Sequence, residues 1–444
     1  MENLLSGVFN SIESAVSASK RAFETYSTFT ASEKMEIILG LRLDLAKEAP
    51  ALAKMEKEET GMGVYEDKLL EISRSISNTR GLEYSCFNQK SFVDEEGLTL
   101  EESYPYGVAA LLHPITHPVA SIINSTILML SAGNSVIHLS PQRASKVCLY
   151  AVEKINAAIS RVCGLNNLVI CLDENRYEYN KLIKDNPDVD LVVATGSSEM
   201  ANKALSHKKK VIVAGSANPV VIVDSSADIR KAAKIIAMDI SFDNNLLCTS
   251  EKCAVVLGDV INDFKRCLED EHICILSASQ AKKLEDAVFD TDYSVRREFI
   301  GQDAGTILLK AGLSSCSDSN VSGIAFDAKL ANPFVLTEVE APILPIVEVS
   351  EFADALLLAG YIESGCHHTA SIFSKDIEHL SAASRLLKTA VFIKNGSTLY
   401  GSGLKGNLPV AFTVANVTGE GPVIDPDIFA RKRRCILVES FERM

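Results

Sequence analysis

Hydrophobic positions along this 444-residue chain change their period twice, and each change marks a new kind of element. Up to about residue 80 they recur at helical spacing. Leu5, Phe9, Ile12, Val16 and Phe23 trace one helical face, with the small Ser19 between them. Thr30 followed by Glu33 is a capping-box pair ahead of the apolar-periodic run MEIILGLRLDLA. A third helix is predicted near 65–76. The segment 91–104 then reads as two short strands, polar on both faces.

From Gly107 onward, apolar runs alternate with amphipathic stretches. The runs lie at 107–112, 135–139, 168–172, 190–194 and 210–214, with helices predicted near 119–131, 143–160, 175–184 and 198–206. Such alternation implies a parallel sheet with right-handed crossovers. Runs that are apolar throughout imply a sheet covered on both faces. After Pro219 a second series begins at 220–224, 253–258, 343–349, 369–374 and 390–395, with helices near 227–240, 351–360 and 376–388. A second α/β unit is therefore expected. The last run, CILVES at 435–440, has no strand partner nearby in sequence.

At ~150 residues per domain the length suggests two or three domains. Lys+Arg number 44 and Asp+Glu 58, a net charge of −14. An acidic chain lacks the footprint for phosphate backbones, so nucleic acid is not expected as a partner. Lys208–Lys210 and Arg431–Arg434 are local basic runs, and the second reads as a solvated or subunit-facing surface. The 11 cysteines are unevenly spaced, and Cys171 and Cys435 sit within apolar runs, as reduced, buried cysteines do. There is no CxxC, and prolines 114 and 118 break the His113/His117 pair, so no metal site is expected. No segment reads as a signal peptide or a membrane span. A cytoplasmic protein is the expectation.

Four features carry candidate chemistry. Cys248, in SFDNNLLCTSEK, lies between a helix and a strand, where a sulfur can face a cleft. Lys252 or loop amides would favour its reactive thiolate, and the competing reading is an inert buried cysteine. VVATGSSEMA is strand, turn, helix: Gly196 permits a tight turn, and Ser197 and Ser198 can cap the helix or hold a phosphate at its N-terminus. The GxGxxG at 401–406 is followed by NLPVAF, with no helical period, so it reads as a glycine loop and not as a dinucleotide fingerprint. His367 and His368 enter the strand at 369–374 and point different ways on an extended chain, so one of them can act as a base.

In order and as a set, several segments resemble the aldehyde dehydrogenase superfamily, specifically its CoA-acylating branch, the ethanolamine- and propanediol-utilisation enzymes of bacterial microcompartments. They include EETGMGVYEDK (58–68), AGNSVI (132–137), ANPVVIVD (217–224), SFDNNLLC (241–248), GCHHTASIFS (365–374) and VTGEG (417–421). The resemblance implies an α/β aldehyde dehydrogenase fold. Its NAD-binding domain would span 1–90 and 105–218, its catalytic domain 219–425, and its oligomerisation arm 91–104 with 426–444. In this family the arm is a hairpin that extends a neighbouring subunit's sheet, which would account for the unpaired CILVES. By motif position Cys248 is the nucleophile, and Thr195, Gly196, Ser197 and Ser198 form the turn at the pyrophosphate. Glu338 contacts the nicotinamide ribose, and His368 assists the CoA thiol. His117 falls among the cofactor-binding residues, in Ile115-Thr116-His117-Pro118 where many relatives read STNP.

The activity so implied is oxidation of a short aldehyde, acetaldehyde or propanal, with NAD and coenzyme A. It proceeds through a Cys248 thioester, in a homodimer or homotetramer. The alternatives are a hydrolytic enzyme releasing free carboxylate and an inactive structural paralogue. Microcompartment shell or partner enzymes are the further partners implied. Only Met1–Ser6 precede the GVF segment, too short for a targeting helix, so entry without a tag of its own is expected. In hydrolytic members a glutamate in an ELGGK-type segment activates water. Aligning Pro219 with that segment's proline puts Val213 at the glutamate position, which favours CoA as the acyl acceptor.

Overall fold

The computed structural model describes residues 6–85, 90–94, 97–172, 186–196, 198–206, 208–316 and 320–438. The helix expected near 175–184, Leu5, Ser197 and residues 439–444 lie outside them.

Two parallel sheets organise the chain. The first has six strands in the order Val8–Phe9, Val169–Leu172, Ser135–Leu139, Val108–Leu112, Leu191–Thr195, Lys210–Ala214. Val108–Leu112 is central; the next two strands in sequence stack on one side of it and the last two on the other. The chain therefore reverses direction across the sheet between Val108–Leu112 and Leu191–Thr195. In open parallel sheets such a switch point leaves a crevice at the carboxyl ends of the strands, where dinucleotides bind. The second sheet has seven strands, in the order Ile273–Leu276, Gly323–Asp327, Ile343–Val349, Cys253–Leu257, Val220–Val223, Thr369–Phe373, Val391–Lys394. The central strands of both sheets are buried on both faces, as their uninterrupted apolar runs require.

Thr30 and Glu33 form the expected capping box, which opens a helix over Ala31–Thr60. Three expectations are corrected here. Phe9 belongs not to the first helix but to the edge strand Val8–Phe9, paired with Cys171 and Leu172. The helix starts at Ile12, capped by Ser11. The C-terminal run is not unpaired within the chain. The strand Ala430–Val438 lies antiparallel to Gly97–Pro105, which also pairs with Lys90–Asp94, giving a three-stranded sheet. Register explains the basic run: Arg433 faces Glu102 and Arg434 faces Glu101 across the strands, ion-paired at 2.6 and 2.7 Å. Cys435, expected to be buried, is exposed in this sheet; among the described residues every cysteine is a free thiol.

Candidate active site

A cleft of about 520 Å³ lies between the two sheets. From the first sheet it is lined by segments that leave the carboxyl ends of strands: Pro114–His117, Thr195 and Gly196, and Ala214–Asn218. The second sheet supplies residues that enter the amino ends of strands: Cys248 before Cys253–Leu257, Glu338 and Glu340 before Ile343–Val349, and His368 before Thr369–Phe373. Sequence-distant groups are thus brought together by strand order. A second hollow of about 370 Å³ shares Gly215, Ser216, Ser364 and Cys366 with the cleft and prolongs it. An elongated ligand fits this continuous groove.

Six of the eight residues singled out from the sequence line the cleft: Cys248, His368, Thr195, Gly196, Glu338 and His117. Ser198 opens the helix Ser198–Leu205 directly after them. Gly196 has φ +154, and a side chain there would meet only the Met200 sulfur, at 3.6 Å, so the backbone is open to a ligand. The glycine run 401–406 follows a short 3₁₀ turn at Thr398–Tyr400, precedes no helix and does not line the cleft.

The nucleophile candidate sits after an unusual loop. Asp243, Asn244 and Asn245 are three consecutive non-glycine residues with φ of 46, 54 and 58°. Asp and Asn tolerate this left-handed region because their short side chains can bond locally, but each still costs roughly 1 kcal/mol. Hydrogen bonds offset that cost. Asn244 donates to the Gly301 carbonyl at 2.9 Å and Asn245 to the Glu251 carbonyl at 3.1 Å. Lys252, itself buried, donates from Nζ to the Asn245 carbonyl (2.6 Å), to Asn245 Oδ1 (2.8 Å) and to the Leu247 carbonyl (3.0 Å). The sequence segment SFDNNLLCTSEK therefore encodes both the loop and its brace.

Electrostatics correct one expectation. Lys252 was expected to favour the thiolate, and its charge does act in that direction. Burial and the Glu338 carboxylate outweigh it, and the Cys248 thiol is pushed up to about 12. Without ligands Cys248 is therefore a thiol near neutral pH. Glu338, raised to about 8 by burial and by Glu340, is largely protonated at pH 7 and accepts a proton only in its ionised fraction. Burial and Lys252 lower the His368 imidazole to about 4, so it is neutral at pH 7 and free to accept a proton, though it holds one weakly. Its Nδ1 is 2.9 Å from the Thr369 hydroxyl, which leaves Nε2 for the cleft. His367 turns away, with Nδ1 3.0 Å from the Lys388 carbonyl. The two histidines diverge as the sequence predicts.

A testable consequence concerns alkylation. A free cysteine thiol titrates at about 8.5, and only its thiolate reacts. The rate of Cys248 alkylation by iodoacetamide, without cofactor, should therefore climb about tenfold per pH unit through pH 9 and beyond. A plateau near pH 8 would show that the thiol is not held protonated.

Val213 does not face the cleft. It is fully buried against Ala194, Ala201 and Ala204. The next residue, Ala214, lines the cleft instead. The position that alignment through Pro219 gives is thus a core position, and its neighbour forms the cleft wall. Glu251, a carboxylate close to Cys248 in sequence, does not line the cleft either: it is buried, accepting from Ser371 at 3.2 Å and Thr398 at 3.3 Å. Sequence reasoning missed Glu340, whose φ is 53°, and Asn218, whose side-chain amide clamps the Val335 and Ile362 carbonyls at 3.0 and 2.8 Å.

A dinucleotide-type crevice facing a braced cysteine loop and two titratable groups is the arrangement that a nucleotide-dependent oxidoreductase with a cysteine nucleophile requires. More narrowly, the chain belongs to the aldehyde dehydrogenase family, whose model matches residues 7–274. It is 35% identical over 441 residues to the acetaldehyde dehydrogenase (acetylating) EutE of Escherichia coli, covering 98% of this chain and 93% of that one. Among solved structures, the propionaldehyde dehydrogenase of the Clostridium phytofermentans fucose utilisation bacterial microcompartment superposes with a TM-score of 0.94 at 32% identity, covering 98% and 99% of the two chains. The propionaldehyde dehydrogenase of Rhodopseudomonas palustris, solved with bound CoA and an acylated cysteine, gives 0.93 at 33% identity, covering 97% and 98%. The fold is that of these enzymes.

Proposed function

We propose that this chain is a CoA-acylating aldehyde dehydrogenase, oxidising acetaldehyde or propanal to the acyl-CoA with NAD. The observation that carries the reading is Cys248 in a cleft with two titratable groups, Glu338 and His368, and no carboxylate on the Ala214 wall. The relatives' names, with acetaldehyde, propionaldehyde and CoA among them, support the substrate class.

The residues fit a dinucleotide: the open Gly196 turn, the helix beginning at Ser198 and the half-buried Glu338 stand at the switch-point crevice. When bound, the nicotinamide supplies a hydride acceptor. His368, or Glu338 in its ionised form, takes the Cys248 proton as sulfur adds to the aldehyde carbon. The resulting oxyanion is held by backbone N–H groups of the cysteine loop and by His117. Burial lowers the His117 imidazole to about 3, so the ring is neutral. Its Nδ1 is 3.0 Å from the Thr116 hydroxyl. With that hydroxyl donating to Nδ1, Nε2 keeps its proton and remains as a donor for a carbonyl oxygen. His368 then accepts the proton of the CoA thiol as it attacks the thioester. NADH appearance with short aldehydes, with and without CoA, and identification of the product test the whole reading.

The domain division belongs to this reading: 1–90 with 105–218 as the NAD-binding domain, 219–425 as the catalytic domain, and 91–104 with 426–444 as the arm. Across the distal arm, Val93 pairs with Leu98 and Leu98 with Leu437; Phe92 pairs with Thr99 and Thr99 with Ile436. Phe92, Val93, Ile436 and Leu437 are all about half exposed or more. Apolar strand edges of this kind are a liability unless paired. The expected partner is a second subunit, giving a homodimer or homotetramer. Light scattering at micromolar concentration should show an oligomer, and a monomer would refute the arm's role. Among the described residues no helix is long and apolar enough to cross a membrane. A place in the cytoplasm or within a microcompartment, beside shell or partner enzymes, is in keeping with the source of the fucose-utilisation relative.

A further inference from the structure

The segment 58–68, EETGMGVYEDK, carries part of the family resemblance, yet none of its residues lines the cleft and the reaction above gives it no task. Its last residue is the most deeply buried lysine of the described chain. Lys68 is 1% exposed, and its Nζ lies 2.7 Å from Asp243 Oδ2, 3.2 Å from Glu56 Oε1 and 3.9 Å from Glu71 Oε2. It also donates to the Thr116 carbonyl. All three carboxylates are buried, and neither oxygen of Glu71 has a hydrogen-bond partner among the described residues. An isolated buried charge is costly, and a cluster of this kind persists only where its geometry satisfies the ammonium well.

What the ammonium holds is informative. Asp243 is the first of the three left-handed residues that lead to Cys248. Thr116 belongs to the turn that forms the opposite wall of the cleft. One nitrogen therefore touches both walls. Further bonds run the same two ways. To the loop, the Val64 amide donates to Asp243 Oδ1 at 2.8 Å, and the Asp243 amide donates to Asp67 Oδ2 at 2.8 Å. To the turn, Glu56 Oε2 accepts from the Val119 amide at 3.3 Å, in the first turn of the helix after His117. Gly63 completes the fit: it has φ +76, and a Cβ there would stand 2.1 Å from Asp243 Oδ1. The whole segment is shaped around the Asp243 side chain.

We propose that Lys68 is a positioning residue for the reaction: it clasps the nucleophile loop to the 114–118 turn and fixes the distance between the Cys248 sulfur and the groups that receive the substrate oxygen. The proposal rests on Cys248 as the nucleophile. It explains why a charged group stands where an apolar side chain would fill the same space. A methionine can pack there, but it cannot bond three acceptors from three elements at once.

The test is single-turnover NADH formation from acetaldehyde at saturating NAD⁺, measured per folded molecule, together with NAD⁺ affinity and melting temperature. Lys68→Met should lower the acylation rate by about tenfold or more, since misplacing reacting atoms by about 1 Å costs on the order of a hundredfold. NAD⁺ affinity should stay within about twofold, because no group that lines the cleft is removed. Arg42→Met is the control for a purely structural loss. Arg42 is part-buried and donates to the Ile76 and Thr79 carbonyls, away from both walls. It should lower the melting temperature without changing the rate per folded molecule. If Lys68→Met does not fold, Asp243→Asn decides. It keeps an oxygen for the Val64 amide and leaves Lys68 two carboxylates, but cuts the charged tie to the loop. Acylation within twofold of the natural protein in the folded variants, or a loss no greater than that of Arg42→Met, overturns the proposal. Cys248→Ala separates this from failure of the premise: if that variant still acylates, the nucleophile assignment is wrong; if it is inert while the Lys68 and Asp243 variants are unimpaired, only the clasp is wrong.

Discussion

Cys248→Ala should abolish NADH formation from acetaldehyde or propanal, with a loss of at least about ten-thousand-fold, the scale on which removal of a covalent nucleophile acts. The reason lies in the rest of the cleft. Glu338 and His368 can move protons, and His117 can donate to an oxygen, but neither a buried carboxylate nor a neutral imidazole in these positions replaces sulfur as an acyl carrier. Hydride departure from an aldehyde first requires a tetrahedral carbon with a developing oxyanion, and only an added nucleophile makes one. The substitution removes a single sulfur and leaves the Lys252 brace intact, because Lys252 bonds the carbonyls of Asn245 and Leu247 and not the Cys248 side chain. Folding and NAD⁺ affinity should therefore stay near those of the natural protein, measured by thermal melting and by fluorescence quenching. Retained turnover would remove Cys248 from the reaction. No turnover in the natural protein with any short aldehyde would favour the inactive-paralogue reading.

Long apolar runs were the most legible part of the fold. GVAALL, DLVVA and VVIVD appear as strands within a residue of their expected bounds, because a strand covered on both faces has to be apolar at every position. Short edge strands carry no such signal. Ile273–Leu276 has only four residues, and Cys274 and Ile275 are merely half-buried. Val8–Phe9 has two, and its neighbours continue a helical spacing that hides the break. The helix Ile261–Asp270 was legible but unread: Ile261, Phe264 and Leu268 recur at helical spacing and all face the core. The C-terminal strand's partner lies more than 300 residues away, at 97–105, and only the opposite charges of the two segments hint at the match.

The site was legible to the extent that chemistry is written in residue type. A cysteine after DNN, a histidine entering a strand and a strand–TGSS–helix turn all point to a cleft. Protonation was not legible. Lys252 beside Cys248 suggests a thiolate when read locally, but the same fold brings Glu338 from 90 residues away and desolvates the sulfur, and these effects prevail. Facing was not legible either. Within an apolar strand such as KVIVA nothing distinguishes a core position from a cleft position, so Val213 and Ala214 are interchangeable in the sequence and opposite in the structure. The Lys68 cluster was hidden for the converse reason. In Tyr65–Asn78 the charged Lys68 and Glu71 share the buried face with Ile72, Ser75 and Ile76, where a helical pattern would place apolar residues.

Without CoA, the natural protein should form one NADH per active subunit and then stop. A thioester on Cys248 leaves only by attack of a second nucleophile. For water that attack needs a general base, worth roughly a hundredfold or more. The wall of the cleft that follows strand Lys210–Ala214 offers Ala214, Gly215, Ser216 and Ala217, none of which takes a proton at neutral pH. The CoA thiol needs less help, since a thiol with a pKa of about 8.5 is already a few per cent thiolate near neutrality. His368, a weak base at about 4, does little for water, which gives up its proton far less readily, but it can receive the proton of an attacking thiol. Added CoA should therefore restore continuous turnover, with acyl-CoA as the product. Val213→Glu, the substitution that the sequence suggests, would force a carboxylate into the core against Ala194, Ala201 and Ala204 and should unfold that edge of the sheet. Ala214→Glu instead puts the carboxylate on the cleft wall, and it should convert the single burst into slow CoA-independent turnover yielding carboxylate. Steady NADH formation by the natural protein in the absence of CoA, with free acid as the product, would place this chain among the hydrolytic enzymes. A burst that Ala214→Glu does not extend would leave CoA dependence standing and show that water is kept from the thioester by something other than the missing base.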